Sequence, residues 1–150
     1  NESFFLDKMK KIYTNLSYNP IVVHKYAMDL YKIGLLNESL EEAIKGEKMF
    51  TNLNITMLIA SIYEELGDNI QAEKYYKKCI HMIPKAFEPK YSLFEFYITT
   101  NQHQKALSVA ELIKEYPVKV NSETVKKIKQ SADDFILSKN KLEEKNRNTL

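Results

Sequence analysis

The side chains best suited to catalysis or metal binding in this sequence are its one cysteine, Cys79, and its three histidines, His24, His81 and His103. A zinc site needs His, Cys or carboxylate ligands that converge on one point, and none of the three histidines has such a partner at helical spacing. His81 follows Cys79 by two residues, and residues i and i+2 of a helix point apart. The sequence therefore predicts no metal site, and Cys79 suits a small packing residue better than a nucleophile.

Two adjacent acidic pairs, Glu41-Glu42 and Asp133-Asp134, are the other candidates for acid–base chemistry. Neighbouring helical residues diverge, so neither pair can face a substrate as an acid and a base together. The sequence has only three glycines, which are isolated and cannot form a phosphate-binding loop. We expect no catalytic residue and no cofactor. An enzyme stays an alternative interpretation, and it would need support from the loss of a measurable activity on mutation of His24 or Glu64.

Composition excludes several other classes of protein. Among the 150 residues, Lys and Arg total 22 and Asp and Glu total 20, which gives a net charge of +2. A nucleic-acid-binding protein normally shows a clear basic excess, so we expect no nucleic-acid partner. No apolar run approaches the ~18 residues that a membrane span requires. Only three Gly and four Pro interrupt the chain, which favours helices over the many turns of an all-β fold.

A repeat of about 33–34 residues organises the chain, and its clearest copy begins at Leu53. Small residues at positions 8 and 20 of this unit, Ala60 and Ala72, would let two helices approach closely. Gly67 at position 15 suits the turn between them, and Pro84 at position 32 ends the second helix. This is the tetratricopeptide pattern.

Weaker copies of the same pattern precede and follow this unit. The copy that begins at Pro20 has Ala27 and Ser39 at the two small positions. In the copy that begins at Phe87, Phe94 replaces the small residue at position 8. Asn101 replaces the turn glycine there, and Asn tolerates the left-handed conformation better than most residues. The three units predict an all-α fold, a tetratricopeptide-type α-solenoid of about three helix-turn-helix repeats with an N-terminal helix and a C-terminal capping helix.

Capping signals set the phase of the predicted helices. Asn19 precedes a proline, as at the start of a helix. Asp68 with Gln71, and Asn101 with Gln104, resemble capping boxes. The predicted helices cover 3–17, 20–33, 37–50, 53–66, 69–82, 88–100, 103–115 and 122–137.

We expect a single helical-repeat domain over residues 1–137. Its predicted parts are an N-terminal helix at 3–17, repeats at 20–51, 53–84 and 87–118, and a capping helix at 122–137. Residues 138–150 are mostly polar and charged, so we expect a frayed tail there.

The segment from Pro84 to Ile136 carries a more specific resemblance. It contains Phe87-Glu88-Pro89-Lys90-Tyr91 and, further on, Pro117-Val118-Lys119-Val120. This segment resembles the soluble C-terminal tail of the O-antigen ligase or polymerase-like membrane proteins of Bacteroidetes, and the likeness extends over roughly residues 4–137. In that family a multi-spanning membrane part precedes the helical repeats.

The resemblance implies that this chain is the non-catalytic part of such a protein, with the glycan-transfer chemistry in the membrane part. The chain begins with Asn1 rather than Met, so we expect it to be a piece of a longer protein. The implied location is a soluble domain tethered to the bacterial inner membrane, on either the cytoplasmic or the periplasmic side. The alternative is a free-standing tetratricopeptide adaptor with no link to glycans.

In the tetratricopeptide fold the first helix of each pair lines the concave surface, and the resemblance assigns certain repeat positions to that surface. These positions form the candidate peptide-binding groove: His24, Met28, Tyr31 and Lys32 in the first unit, Asn54, Met57, Ser61 and Glu64 in the second, and Glu88, Tyr91, Glu95 and Ile98 in the third.

The groove mixes aromatic and methionine side chains with several carboxylates, which suits an extended or helical peptide that carries some positive charge. The predicted function is a protein-interaction scaffold of surface-polysaccharide assembly that recruits a partner or self-associates, with membrane contact only through a region before Asn1. The competing interpretation is that these side chains pack against the terminal helices, since three units make a shallow groove.

Overall fold

A computed structural model of the chain describes residues 2–118 and 122–147. Over these residues it contains helices and no strand, which confirms the predicted all-α fold class. Each observed helix begins within one residue of its predicted start. The helices are α1 (Glu2–Leu16), α2 (Pro20–Lys32), α3 (Leu36–Met49), α4 (Leu53–Glu65), α5 (Asn69–Met82), α6 (Glu88–Thr99), α7 (His103–Glu115) and α8 (Glu123–Arg147).

Short polar side chains start several helices as the sequence predicts. The Asn19 side-chain oxygen accepts a hydrogen bond from the backbone N–H of Ile21 at 2.9 Å. Asp68 accepts in the same way from Gln71 at 3.1 Å, and so does Asn52, which was not predicted, from Ile55 at 3.1 Å. These side chains satisfy N–H groups that have no partner within the helix, which stabilises each helix by about 1 kcal/mol.

The turn inside each helix pair contains one residue in the left-handed conformation. Gly34 has a φ of 79° and Gly67 has a φ of 78°, while Asn101 takes the equivalent place with a φ of 58°. The predicted turn role of Asn101 is therefore confirmed, but its predicted capping box is wrong. The N-cap position of α7 is Gln102, which makes no side-chain capping bond, because Asn101 is used for the turn itself.

The last helix is longer than predicted. α8 continues to Arg147, ten residues beyond the predicted end at residue 137, and residues 148–150 lie outside the described part of the chain. Residues 138–147 contain neither Gly nor Pro and are rich in Lys and Glu, which are good helix formers. Polarity alone therefore did not predict the end of this helix.

The chain divides into two compact units, Asn1–Met82 and Ile83–Leu150. In the first unit α2 pairs with α3 and α4 pairs with α5, while α1 lies against α2. In the second unit α6 pairs with α7, and α8 lies against α7.

Small side chains bring the paired helices of the first unit together. Ala60 on α4 and Ala72 on α5 are completely buried, as are Ala27 on α2 and Ala43 on α3. Ser39 is also buried, and its hydroxyl donates to the backbone carbonyl of Ala27 at 2.7 Å. The small positions of the repeat are therefore contact points between helices, and the apolar core of this unit builds outward from them.

In the second compact unit, aromatic side chains take the place of the small residues. Phe94 occupies the repeat position at which the other two repeats have alanine, and it is buried. Its ring meets that of Phe135 on α8 edge to face, with 5.3 Å between ring centroids. Such pairs contribute about 0.5–1.5 kcal/mol beyond the area they bury. The large residue at position 8 is thus accommodated by the capping helix.

A buried lysine fixes the start of the second unit. Lys90 on α6 is only 2% exposed, and its ammonium donates to the backbone carbonyls of Ala86, at 2.8 Å, and of Pro84. The same nitrogen lies 4.1 Å from the ring centroid of Tyr116, a cation–π contact. Burial lowers the pKa of Lys90. The motif around Lys90 in the sequence therefore has a structural role here, in holding residues 84–86 against α6.

Replacement of Ala72 by glutamate should unfold or severely destabilise the first unit, because an unpaired buried charge costs several kcal/mol. The matched control is Ile70→Glu on the same helix, where the side chain is 80% exposed. Thermal unfolding followed by circular dichroism should show a large loss for Ala72→Glu and little change for the control. Similar melting temperatures for Ala72→Glu and the unmodified protein would show that the assigned helix contact is wrong.

Candidate functional site

The structure places the candidate groove residues on three helices. In the first unit, four lie on α2 and four on α4, and in the second unit four lie on α6. The contacts of the first unit bring its candidates together at two places, one near the starts and one near the ends of α2 and α4.

Near the starts of α2 and α4 there is an open cleft of about 310 Å³. Three predicted residues line it: His24, Met28 and Asn54. Ile21, at another inward-facing position of the same repeat, lines it as well, and the lining residues that escaped prediction are Lys25, Asn52, Ile55 and Leu58. The cleft combines apolar side chains with side-chain amides, a mixture that is typical of surfaces that bind peptide segments.

One wall of the cleft is held by a hydrogen-bonded chain through His24. Its Nε2 lies 3.1 Å from the carbonyl oxygen of Gly46, and its Nδ1 lies 3.3 Å from the side-chain nitrogen of Asn52. The Asn52 side-chain oxygen is already engaged with the N–H of Ile55, so its nitrogen must point toward His24. These contacts assign the proton of a neutral His24 to Nε2 and make Nδ1 an acceptor.

Gly46 leaves the room that His24 occupies. A Cβ atom built on Gly46 would lie 2.6 Å from Cδ2 of His24 and 3.1 Å from a methyl group of Val23. Real Cβ atoms do not approach other atoms as closely as the first of these distances. A side chain larger than that of glycine at this position would therefore displace the His24 ring.

Near the ends of α2 and α4 the candidates form a cluster of tyrosines and carboxylates. The Tyr31 hydroxyl donates to Glu65, and the Tyr76 hydroxyl donates to Glu64 at 2.6 Å. Burial and the neighbouring carboxylates raise the pKa of Tyr31 to about 12 and that of Tyr76 further. Ser61 also hydrogen-bonds Tyr76. The two glutamates are thereby held in place by neutral phenols.

Two candidates of the first unit lie outside these contacts. Met57 on α4 is partly buried and Lys32 is exposed in the last turn of α2. Neither lines the cleft near the helix starts.

In the second unit, Tyr91, Glu95 and Ile98 line a separate open cleft of about 480 Å³ between α6 and α8. The opposite wall is formed by residues of α8, including Ser131 and Phe135. Glu88 lies exposed at the start of α6. In this unit the candidate residues therefore face the capping helix, which is the arrangement that the competing interpretation of the groove anticipates.

Sequence analysis missed a polar junction at which side chains of α3, α4 and α5 meet. Glu47 on α3 is largely buried and accepts hydrogen bonds from Thr56 at 3.0 Å and from Lys78 at 2.9 Å. The Tyr75 hydroxyl lies 3.4 Å from its second oxygen. Burial and Glu47 raise the pKa of Tyr75 to about 12. The one sign of this junction in the sequence was a glutamate at a buried position of the repeat. Its partners lie on α4 and α5, and only the folded structure brings them close to Glu47.

The groups considered for catalysis lie in unreactive surroundings. Cys79 is completely buried, and burial followed by the charge of Glu47 raises the pKa of its thiol to about 12. The thiol is therefore neutral at ordinary pH and cannot act as a thiolate nucleophile. Over residues 2–118 and 122–147, no three His, Cys, Asp or Glu side chains lie close enough together to hold a metal ion. No helix in these ranges has both the length and the apolar character needed to cross a membrane.

Comparison with known proteins identifies the fold. A family profile described as tetratricopeptide repeat matches residues 55–85. No curated protein matches the chain. The fold is the helical-repeat fold of tetratricopeptide proteins, as the solved structures below also show.

Several solved structures share this arrangement of helices. The type III secretion chaperone SycD of Yersinia enterocolitica, in complex with a peptide of the translocator YopD, has a TM-score of 0.65 at 13% identity, covering 77% of this chain and 88% of SycD. MamA has a TM-score of 0.63 at 18% identity, covering 93% of this chain and 87% of MamA. A tetratricopeptide repeat protein from Parabacteroides merdae has a TM-score of 0.65 at 19% identity, covering 89% of this chain and 58% of that protein. At these identities the likeness shows the fold alone.

Gly46→Ala should destabilise the first unit by about 1–3 kcal/mol, because the added methyl group overlaps His24. The sign is informative, since Gly→Ala inside a helix normally stabilises by about 0.5–1 kcal/mol. Chemical unfolding should show a much smaller loss for the same substitution in a His24→Ala background. An equal loss in both backgrounds would show that His24 is not the obstructing group.

Proposed function

We propose that this chain is a non-catalytic protein-interaction scaffold that binds a peptide segment of its partner in the cleft between α2 and α4. The observation that carries the proposal is the cleft itself, where apolar Met28 and Leu58 lie beside the side-chain amide of Asn54. The hydrogen bonds through His24 and Asn52 fix one wall before any ligand arrives. A surface that is already ordered loses little conformational freedom on binding.

The comparisons support the general class of this function. Tetratricopeptide folds are typical of proteins that bind other proteins, and the SycD structure contains a bound peptide. The buried, neutral state of the Cys79 thiol agrees with a role that does not involve catalysis. A second copy of this chain is the alternative occupant of the cleft.

Selection of displayed random dodecapeptides on the full chain tests this function. We expect peptides that bind with micromolar dissociation constants, and we expect Ile21→Glu to weaken them by at least tenfold, because Ile21 lines the cleft and is 75% exposed. Ile70→Glu, at a similarly exposed isoleucine outside the cleft, is the matched control and should bind normally.

Two results would change the proposal. If no peptide binds, or if Ile21→Glu binds as well as the control, the cleft is not the binding site. If the chain instead forms dimers that Ile21→Glu dissociates and Ile70→Glu does not, the cleft serves self-association.

The finer part of the proposal is that the chain forms the soluble C-terminal domain of an O-antigen ligase or polymerase-like membrane protein. Its support is the resemblance of the segment from Pro84 to Ile136 to that family. In that setting the scaffold would recruit a partner of surface-polysaccharide assembly to the inner membrane. The alternative is a free-standing adaptor with the same fold and no link to glycans.

The encoding gene upstream of the Asn1 codon distinguishes these two alternatives. For the membrane-protein proposal we expect the reading frame to continue into several apolar segments of about 20 residues each, the length that spans a bilayer. A start codon within a few residues of Asn1, or a signal peptide there, would remove the ligase proposal and leave the adaptor.

A further inference from the structure

The surface formed by α2 and α4 in the first unit has two chemically different ends, and they lie on one continuous face. Met28 and Tyr31 are three residues apart on α2, and Leu58 and Glu65 are seven apart on α4, so each pair shares a side of its helix. Met28 and Leu58 line the cleft, whereas the Tyr31 hydroxyl contacts Glu65. The two helices therefore run in the same direction, with the cleft near their starts and the acidic cluster near their ends.

The cleft end combines apolar side chains with neutral polar ones and carries no net negative charge. Its charged lining residue is Lys25, whose ammonium pairs with Asp29 at 3.0 Å. The first turns of α2 and α4 contain no acidic residue, and the helix N-termini add partial positive charge there. A cationic side chain of a bound peptide is disfavoured at this end.

The far end is acidic. Glu64 and Glu65 project there from the last turn of α4, and that turn contains no basic residue. Within the described residues Glu65 forms no ion pair with a lysine, and its contact is the Tyr31 hydroxyl. The negative ends of two helix dipoles add to the same potential. The tyrosine hydroxyls hold both carboxylates in position, so a cation that arrives finds them already ordered.

The separation of the two ends sets the spacing that a partner must have. Leu58 and Glu65 are seven residues apart, which is about 10 Å along a helix at 1.5 Å per residue. An extended peptide covers that distance in about three residues, at roughly 3.3 Å each. A helical peptide needs about seven residues.

Resting on the proposed function, we propose that the first unit binds a partner segment with a defined order of chemistry, an apolar anchor in the cleft and a lysine or arginine against Glu64 and Glu65. The anchor contacts Met28 and Leu58, and the cation lies against the Glu65 carboxylate beside Tyr31, in a negative potential to which the charge of Glu64 adds. The spacing between anchor and cation is about three residues in an extended segment and about seven in a helical one.

Random dodecapeptides displayed on phage provide the test, selected in parallel on the unmodified chain and on the Glu64→Gln/Glu65→Gln variant. Glutamine keeps the acceptor oxygens for the tyrosine hydroxyls but removes the charge. Peptides selected on the unmodified chain should carry Lys or Arg at one of the two spacings from an apolar residue. Their synthetic versions should bind the variant at least tenfold more weakly, and fluorescence anisotropy at 50 and 500 mM salt should show weaker binding at high salt.

The control variant Glu38→Gln/Glu41→Gln removes the same net charge from exposed positions on α3 and should bind as the unmodified chain does. The inference is overturned if the selected peptides lack a basic residue at either spacing, or if the two variants bind them equally. In that case the proposed function still stands, provided that Ile21→Glu weakens the same peptides. Recovery of no peptide at all overturns the proposed function and this inference with it.

Discussion

The close approach of paired helices fixes the geometry of each helix pair and of the surface that it carries. Ala27 and Ala43 in one pair and Ala60 and Ala72 in the next leave no room for a larger side chain at the contact. Because these contacts fix the rotation of each helix, they also determine which residues face the cleft. The surface near the starts of α2 and α4 is thus a consequence of packing on the opposite side of the same helices.

Much of the fold could be predicted because its signals are local. Small residues at fixed intervals, Asn19 and Asp68 before helices, and Gly67 in a turn act within a few residues of themselves. The length of α8 could not be predicted in this way, because a polar sequence without Gly or Pro is compatible with a helix and with a tail alike. The packing of Phe94 could not be predicted either, because its partner Phe135 on α8 lies about 40 residues away in sequence.

The candidate site was predicted in part for the same reason. His24, Met28 and Asn54 follow from repeat phase, and all three line the cleft. Asn52 was missed because a helix cap that also hydrogen-bonds a side chain on another helix has no local signal for its second contact. Tyr91 illustrates the opposite case, since phase placed it correctly on α6 while the wall that it faces comes from α8.

Two buried reactive groups allow the opening of each compact unit to be measured by covalent labelling. Cys79, the single cysteine of the sequence, lies fully buried in the first unit, and Lys90 is the buried lysine of the second. A maleimide can reach the thiol, and an amine-reactive ester the ammonium, only when the surrounding unit opens. Mass spectrometry of a doubly labelled sample would then follow the opening of each unit on its own, with the exposed lysines as an internal reference for reagent exposure.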